Sequence, residues 1–449
     1  MNLIVIIADT FRADNLTCHG NTLTKTPNLD RLAAEGVAFT NCYADGMPTI
    51  PARRVFFTGK SIIPMEKRGG WTPIKPHNPT LSEVLQDAGY TTAFYTDTHP
   101  YFEPDMNFHR GHIPYFPNTF NSWQWIRGQQ TDAWRSGPRE KFDPRKHMPE
   151  HLWNEEYHEK MLQYLMNTQD IVHEEDYFCA RTMIEAGKWL ERNRRNKPFM
   201  LWVDTFDPHE PWDAPKRFQE MYYDDYGYER YLFGYGVRRE DVREEDYPVL
   251  RALYAAEVTF LDMWIGKLLD RVRDLGLMDD TVIAFSSDHG TQLGEKGYVQ
   301  KGPPAPLDSH DAQLPLLVRH PDGPSGREVR QLVSAVDFMP TFLDMLALDE
   351  RPSMDGRNFW ELAQGEEDAI HERLFIQYGY YAAVRDMKWH YYQATTPEAQ
   401  EGLSKGLSPC LYDLEEDFEE TRNVAADHPE VVREMRAALE ERLETNLPS

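Results

Sequence analysis

Cysteine is scarce. The 449 residues hold four, Cys18, Cys42, Cys179 and Cys410, and no two form a CxxC pair. That spacing excludes a zinc ribbon and a dithiol redox motif, and the small number excludes a disulfide scaffold; reduced thiols fit best. Long hydrophobic runs are also missing. The opening run Leu3 to Ala8 stops at Asp9, too short for a signal-peptide core, and no stretch of about 20 apolar residues follows. The expectation is a cytoplasmic protein without a membrane span. Basic residues are outnumbered, 48 Lys and Arg against 74 Asp and Glu, for a formal net charge of −26. A surface of that sign is a poor displacer of nucleic-acid counterions, so no nucleic-acid partner is expected. A small anionic ligand stays admissible, because it senses its pocket and not the global sum. Internal repeats and low-complexity tracts are missing as well.

What is present suffices for a large core: 41% of residues are hydrophobic and 27% charged. At roughly 150 residues per domain, this length implies two or three domains, or one large α/β domain with an appendage. Leu3 to Ala8 reads as a buried strand. Pro27 opens a helix that Gly36 ends. Thr80 with Glu83 is a capping-box signature, followed by a helix to Gly89 and a strand from Tyr90 to Tyr95. Thr182 to Arg192 and Leu250 to Leu277 read as helices, and Phe199 to Val203 and Thr281 to Phe285 as the strands after them. Near-continuous apolar strands alternating with helices predict a mainly parallel sheet covered on both faces. From about residue 366 the grain changes. Phe375 to Tyr378, Ala382 to Arg385 and His390 to Gln393 predict antiparallel strands, and Pro429 to Leu443 a terminal helix. The expected organisation is a catalytic domain over 1–365 and a C-terminal subdomain over 366–449. Segments near 100–160 and 213–248 lack core periodicity and are expected to be insertions or functional loops.

In open α/β sheets, ligands bind beyond the carboxyl ends of the strands. The polar residues there are Asp9, Asp97 to His99, Asp204 to His209, Asp288 and His289. Asp9, Asp288 and His289 together suit a divalent metal, though any one alone could be a turn or cap residue. Pro51 and Gly59 bracket a short helix beginning just after Thr49. A hydroxyl at that end faces free N–H groups and the positive end of the helix dipole, which stabilise an alkoxide or an oxyanion. Arg53 lies one turn on. Taken alone, Thr49 reads better as a plain cap and Arg53 as a surface charge.

Several patches resemble the sulfatase family of the alkaline phosphatase superfamily, in the family's order. They are Asp9-Thr10-Phe11-Arg12-Ala13-Asp14, Thr26-Pro27-Asn28-Leu29-Asp30-Arg31, Ala88-Gly89-Tyr90-Thr91-Thr92-Ala93, Asp207-Pro208-His209-Glu210-Pro211-Trp212, Ser287-Asp288-His289-Gly290, Lys301-Gly302, and Leu411-Tyr412-Asp413-Leu414 with Asn423. The resemblance implies an α/β sandwich with a large mixed sheet, a small C-terminal antiparallel sheet and a terminal helix. It implies metal ligation by Asp9, Asp288 and His289, with Thr10 where many sulfatases carry a second Asp, and Thr49 as nucleophile touching the metal. His289 stands where many have Asn, an exchange also found in phosphonate and phosphodiester hydrolases; it shifts preference toward Mn²⁺ or Zn²⁺, with Ca²⁺ or Mg²⁺ admissible. Arg53 becomes the partner of the nucleophile. His209 faces the leaving group, and Lys301 and His99 the anion. The family's Lys-x-His pair falls on Asp97 and His99, so its lysine is absent.

Thr49 marks the departure. Sulfatases carry Cys or Ser there, oxidised to formylglycine, and threonine cannot give that aldehyde. The expectation is a metal-dependent hydrolase cleaving a phosphodiester or phosphonate monoester through a covalent Thr49 intermediate, with one divalent ion and no formylglycine. The alternatives are a sulfatase using unmodified Thr49 and a non-catalytic sulfatase-like binding protein. Asp97 and Arg127 are expected at the substrate. Arg127 lies in the Trp-rich segment from Phe120 to Arg135, which either recognises the leaving group or packs an insertion. Cys42 reads as a buried small residue. The partner is a small anionic ester, and a homo-oligomer is left open.

Overall fold

Seven buried residues, Asn2–Ala8, form β1 at the centre of the main sheet. The computed structural model describes residues 1–65, 70–72, 74, 78–102, 119–233, 237–301, 307–349, 351–401 and 409–448. Within these the strands are β1, β2 (Val37–Tyr43), β3 (Gly46–Met47), β4 (Thr91–Thr96), β5 (Ser122–Trp125), β6 (Phe199–Thr205), β7 (Thr281–Ser287), β8 (Gln292–Leu293), β9 (Val299–Gln300), β10 (Gln313–Arg319), β11 (Arg327–Val329), β12 (Val333–Ser334), β13 (Leu374–Tyr378), β14 (Tyr381–Arg385), β15 (Trp389–Ala394) and β16 (Cys410–Asp413). The main sheet runs β11-β2-β10-β7-β1-β6-β4-β5, with β12 also on β2. It is parallel except for β10, which is antiparallel to both β7 and β2.

Strand alternation splits β1 between two cores. Leu3, Val5 and Ile7 face helices Thr49–Thr58, Leu81–Asp87 and Phe338–Met345; Ile4, Ile6 and Ala8 face helices Pro27–Ala34, Phe178–Asn193 and Tyr247–Asp274. At about 1.5–3 kcal/mol per fully buried large aliphatic side chain, each strand is held firmly from both sides. The small sheet runs β16-β15-β14-β13-β3 and is antiparallel from β13 to β16. Its last partner comes from far upstream: β3 pairs parallel with β13, Gly46 opposite Gln377 and Met47 opposite Tyr378. The terminal helix Pro429–Leu443 covers this sheet with Met435, Leu439 and Leu443. The expected sandwich of large mixed sheet, small antiparallel sheet and terminal helix is what is observed. No helix among the described residues is long and apolar enough to cross a membrane.

Some elements differ from the sequence reading. The helix expected from Thr182 begins at Phe178. β10 was unassigned because Pro315 interrupts its strand signal; the register shifts between Leu314 and Leu316, so the proline sits at the irregularity. The segment near 100–160 supplies the edge strand β5 and the start of helix His158–Asn167. Ile126, Met148, Met161, Tyr164, Leu165 and Phe178 build a separate small core there. Residues 103–118 of that segment, 234–236 of the second one, and Gly302 lie outside the described residues.

Candidate active site

The register of β1 on β7, Ala8 opposite Ser287, sets Asp9 and Asp288 side by side beyond the strand ends. Ser287 fastens the pair: its Oγ lies 2.7 Å from the Ala8 carbonyl and accepts from the Phe11 N–H at 3.0 Å. Thr10 adopts φ +64°, a costly left-handed conformation for a β-branched residue. That turn lets its N–H donate to Asp288 Oδ1 at 3.0 Å and its hydroxyl to Asp9 Oδ1 at 2.6 Å. Asp288 Oδ1 also accepts the His289 N–H at 2.9 Å. One oxygen of each carboxylate is thus consumed by the turn, and the other faces forward. His289 Nδ1 lies 2.7 Å from the Gly290 carbonyl, which fixes it as the donor. Its Nε2 lies 3.5 Å from Asp288 Oδ2 and 3.8 Å from Asp9 Oδ1. Gly290 is obligatory: a Cβ there would stand 2.0 Å from the His310 carbonyl oxygen.

All three side chains are fully buried, and among the described residues neither Asp9 Oδ2 nor His289 Nε2 has a hydrogen-bond partner. Burial and the neighbouring Asp288 push the Asp9 carboxyl well above its ordinary range. Burial pushes the His289 imidazole down to about 4, so it is a neutral ring with a lone pair on Nε2. Burial alone would raise Asp288, but His289 and Arg53 hold it well below the usual carboxylate range. One oxygen of each carboxylate and the imidazole nitrogen of His289, all within 4.8 Å of one another, fit a divalent cation.

Helix Thr49–Thr58 delivers the next two residues. Thr49 is its first residue, a position further in than the expected cap, and Gly59 closes it at φ +59°. Thr49 and Arg53 are both buried. Arg53 Nη1 donates to the Thr49 carbonyl at 3.1 Å, lies 3.2 Å from Asp9 Oδ2, and bonds Asp288 Oδ2. Its other edge grips Asp204, Nε to Oδ2 at 3.0 Å and Nη2 to Oδ1 at 2.7 Å. Asp204 also accepts from Thr98 Oγ1 at 2.8 Å and from Tyr101 Oη at 2.9 Å.

A second group approaches from β6 and the segment after β9. Lys301 Nζ donates to His209 Nε2 and lies 3.4 Å from both Glu210 carboxylate oxygens. Burial, Lys301 and the nearby His289 and His99 hold His209 well below its ordinary pKa. Phe206 bridges the imidazoles, its ring 4.2 Å from His209 and 5.0 Å from His99. Asp97 lies behind them, fully buried. Gln129 Nε2 joins it to Asp207, at 3.1 Å and 2.7 Å. Burial and Asp207 raise Asp97 to about 7.

The structure therefore brings Asp9, Thr10, Thr49, Arg53, Asp288 and His289 into one bonded cluster, with His99, His209 and Lys301 as a neighbouring group. Asp97 stands behind that group. Arg127 is engaged elsewhere: it grips Asp132 through two bonds of 2.7 and 2.6 Å and lies 4.3 Å over the Trp125 ring. Sequence reasoning assigned no role to Asp204, Thr98, Tyr101, Gln129, Gln130 or Glu210. Asp204 had a signal, a charged residue near a strand end. Gln129 and Gln130, both buried beside His209, had none.

A model of the sulfatase family matches residues 1–348, and a model of the N-sulphoglucosamine sulphohydrolase C-terminal region matches residues 294–447. The chain is 24% identical to an arylsulfatase of Clostridium perfringens over 99% of its own length and 94% of that protein's. It is 27% identical to a choline-sulfatase of Rhizobium meliloti over 94% of its own length and 82% of that protein's. The crystal structure of the phosphonate monoester hydrolase of Agrobacterium radiobacter superposes with a TM-score of 0.76 at 23% identity, covering 98% of this chain and 95% of that one.

Proposed function

This chain belongs to the sulfatase family and is a hydrolase acting on ester bonds; from that premise we propose that it cleaves a phosphodiester or phosphonate monoester, with Thr49 as an unmodified nucleophile. The observation that carries the reading is Thr49 itself, at the first residue of a buried helix and bound through its carbonyl to Arg53. Asp9, Asp288 and His289 would hold a divalent ion, with Thr10 bracing the two carboxylates. That ion supplies a Lewis acid for the phosphoryl oxygens and eases ionisation of a nearby hydroxyl.

The chain's own groups do the rest. The Thr49 hydroxyl oxygen attacks phosphorus while the bond to the leaving oxygen breaks. The Thr49 proton passes to solvent as its oxygen attacks, and the leaving oxygen takes a proton from the Lys301–His209 pair. Water then attacks phosphorus and returns a proton to that pair, the bond to Thr49 breaks, and Thr49 regains a proton from solvent. Lys301 and His99 face the remaining oxygens. Phosphorus permits this second step without an aldehyde. A sulfated formylglycine hydrate is released by C–O cleavage, a route threonine lacks.

The second reading is a sulfatase acting through Thr49, favoured by relatives that include an arylsulfatase and a choline-sulfatase. Metal-stripped protein supplied with Mn²⁺ or Zn²⁺ and offered aryl phosphodiester, aryl phosphate and aryl sulfate separates the two. Turnover of the diester with little on sulfate is expected. Sulfate as the sole substrate would sink the phosphodiester reading, and no turnover with any metal would favour a binding protein.

A further inference from the structure

Asp204 takes as many donors as Asp288 of the cation set, yet it lies outside that set. Four hydrogen bonds converge on its two oxygens, from Arg53 Nε and Nη2, Thr98 Oγ1 and Tyr101 Oη. Its place is set by the sheet, since it pairs with Ile7 of β1 on one side and Thr96 of β4 on the other. It is fully buried, as is Arg53.

Arg53 has a divided task. One edge is given wholly to Asp204; the remaining amino group, Nη1, reaches Thr49, Asp9 and Asp288. The oxygens it reaches on the two aspartates are Oδ2 of each, and Asp288 Oδ2 also lies 3.5 Å from His289 Nε2. Guanidinium and cation therefore draw on the same two carboxylates. A two-bond carboxylate grip fixes both the position and the plane of a guanidinium, which a single charge contact does not. Thr98 and Tyr101 in turn fix Asp204, and the Tyr101 ring lies 5.6 Å from the guanidinium carbon.

We propose that Asp204 is the positioning residue of this site: it restrains Arg53 at the back of the nucleophile helix, so that the guanidinium steadies Thr49 and meets the cation's two carboxylates with Nη1 alone. Without that restraint, Arg53 can turn its full fork onto Asp9 and Asp288 and compete with the cation. The kinetic part of this proposal rests on Thr49 being the nucleophile. The cation part does not.

The test titrates metal-stripped protein with Mn²⁺ and reads the concentration at which the melting temperature has risen half-way. Asp204→Asn keeps the shape of the side chain but presents an amide to Arg53, and is expected to raise that midpoint about tenfold; Thr98→Val, which loosens Asp204 without removing it, is expected to raise it about two- to threefold. Asp204→Glu restores part of the loss. On an aryl phosphodiester, Asp204→Asn is expected to lower kcat about 10–100-fold with KM changed less than about twofold, and to add little in an Arg53→Lys background, because both changes break one unit. An unchanged Mn²⁺ midpoint in Asp204→Asn, or losses that multiply in full in the Arg53→Lys background, would overturn the proposal. Should Asp204→Asn fail to fold, an unchanged midpoint in Thr98→Val overturns it instead. If the wild type turns over no ester, the nucleophile premise fails, while the Mn²⁺ titration still decides the role of Asp204.

Discussion

At position 49 a secondary alcohol begins a buried helix, and its removal should separate chemistry from folding. Thr49→Ala deletes the oxygen proposed to attack and leaves the Arg53 bond intact, since that bond uses the main-chain carbonyl. Activity is expected to fall by roughly 10⁴ or more, with the melting temperature within a few degrees of wild type. Near-normal turnover would remove Thr49 from the mechanism. His289→Ala and Asp288→Ala each take one donor from a three-residue set and should lose bound metal and activity together; full occupancy by elemental analysis would exclude the residue as a ligand. Asp288 and His289 were legible in the sequence because they stand just beyond the apolar strand signal of Thr281 to Phe285, and Thr49 because Pro51 and Gly59 bracket a helix there and the resemblance falls on it. Asp204 was not, because its task depends on Arg53, Thr98 and Tyr101 meeting it across three separate stretches of chain. No spacing along the sequence encodes that meeting.

Helices were the most legible elements. The capping box at Thr80 forms as read: the Thr80 N–H donates to Glu83 Oε2 at 2.9 Å, and the Glu83 N–H to Thr80 Oγ1 at 3.3 Å. Helix Pro429–Leu443 has the bounds its stripe of Val432, Met435, Leu439 and Leu443 implies. Strands with broken patterns were harder, as β10 with its proline illustrates. The Trp-rich segment from Phe120 to Arg135 is where pattern and chemistry pulled apart. Aromatics and arginine admitted a recognition loop and a packed insertion alike; Trp125 stacks on Phe102 and Trp134 packs against Phe178. The same segment sends Gln130, at φ +41°, toward the Glu210 carbonyl and His209. Arg127→Ala is therefore expected to reduce kcat/KM equally on large and small esters while lowering stability by about 1–3 kcal/mol, because Asp132 loses its partner. A loss confined to large substrates would assign Arg127 to the leaving group.

For the molecule as a whole, the buried Asp97–Asp207 pair ties stability to pH. With Asp97 raised to about 7, its contribution is full near the ordinary carboxylate pKa and is lost as pH rises through 7. Asp97→Asn cannot ionise, so its melting temperature should decline less between pH 5 and pH 8.5 than that of the wild type; parallel declines would show that the pair does not control stability. The strand borrowed by the small sheet has a consequence of another kind, in the order of synthesis. Only Pro48 separates Met47 from Thr49, and Met47 pairs with Tyr378. A ribosome makes the nucleophile early and its sheet partner more than three hundred residues later. The nascent chain thus lacks the β13 partner of Met47 until the C-terminal strands emerge, and a chain stopped after residue 365 is expected to lose most of its activity even where its main sheet has formed; wild-type turnover in that truncation would show that the borrowed strand is dispensable.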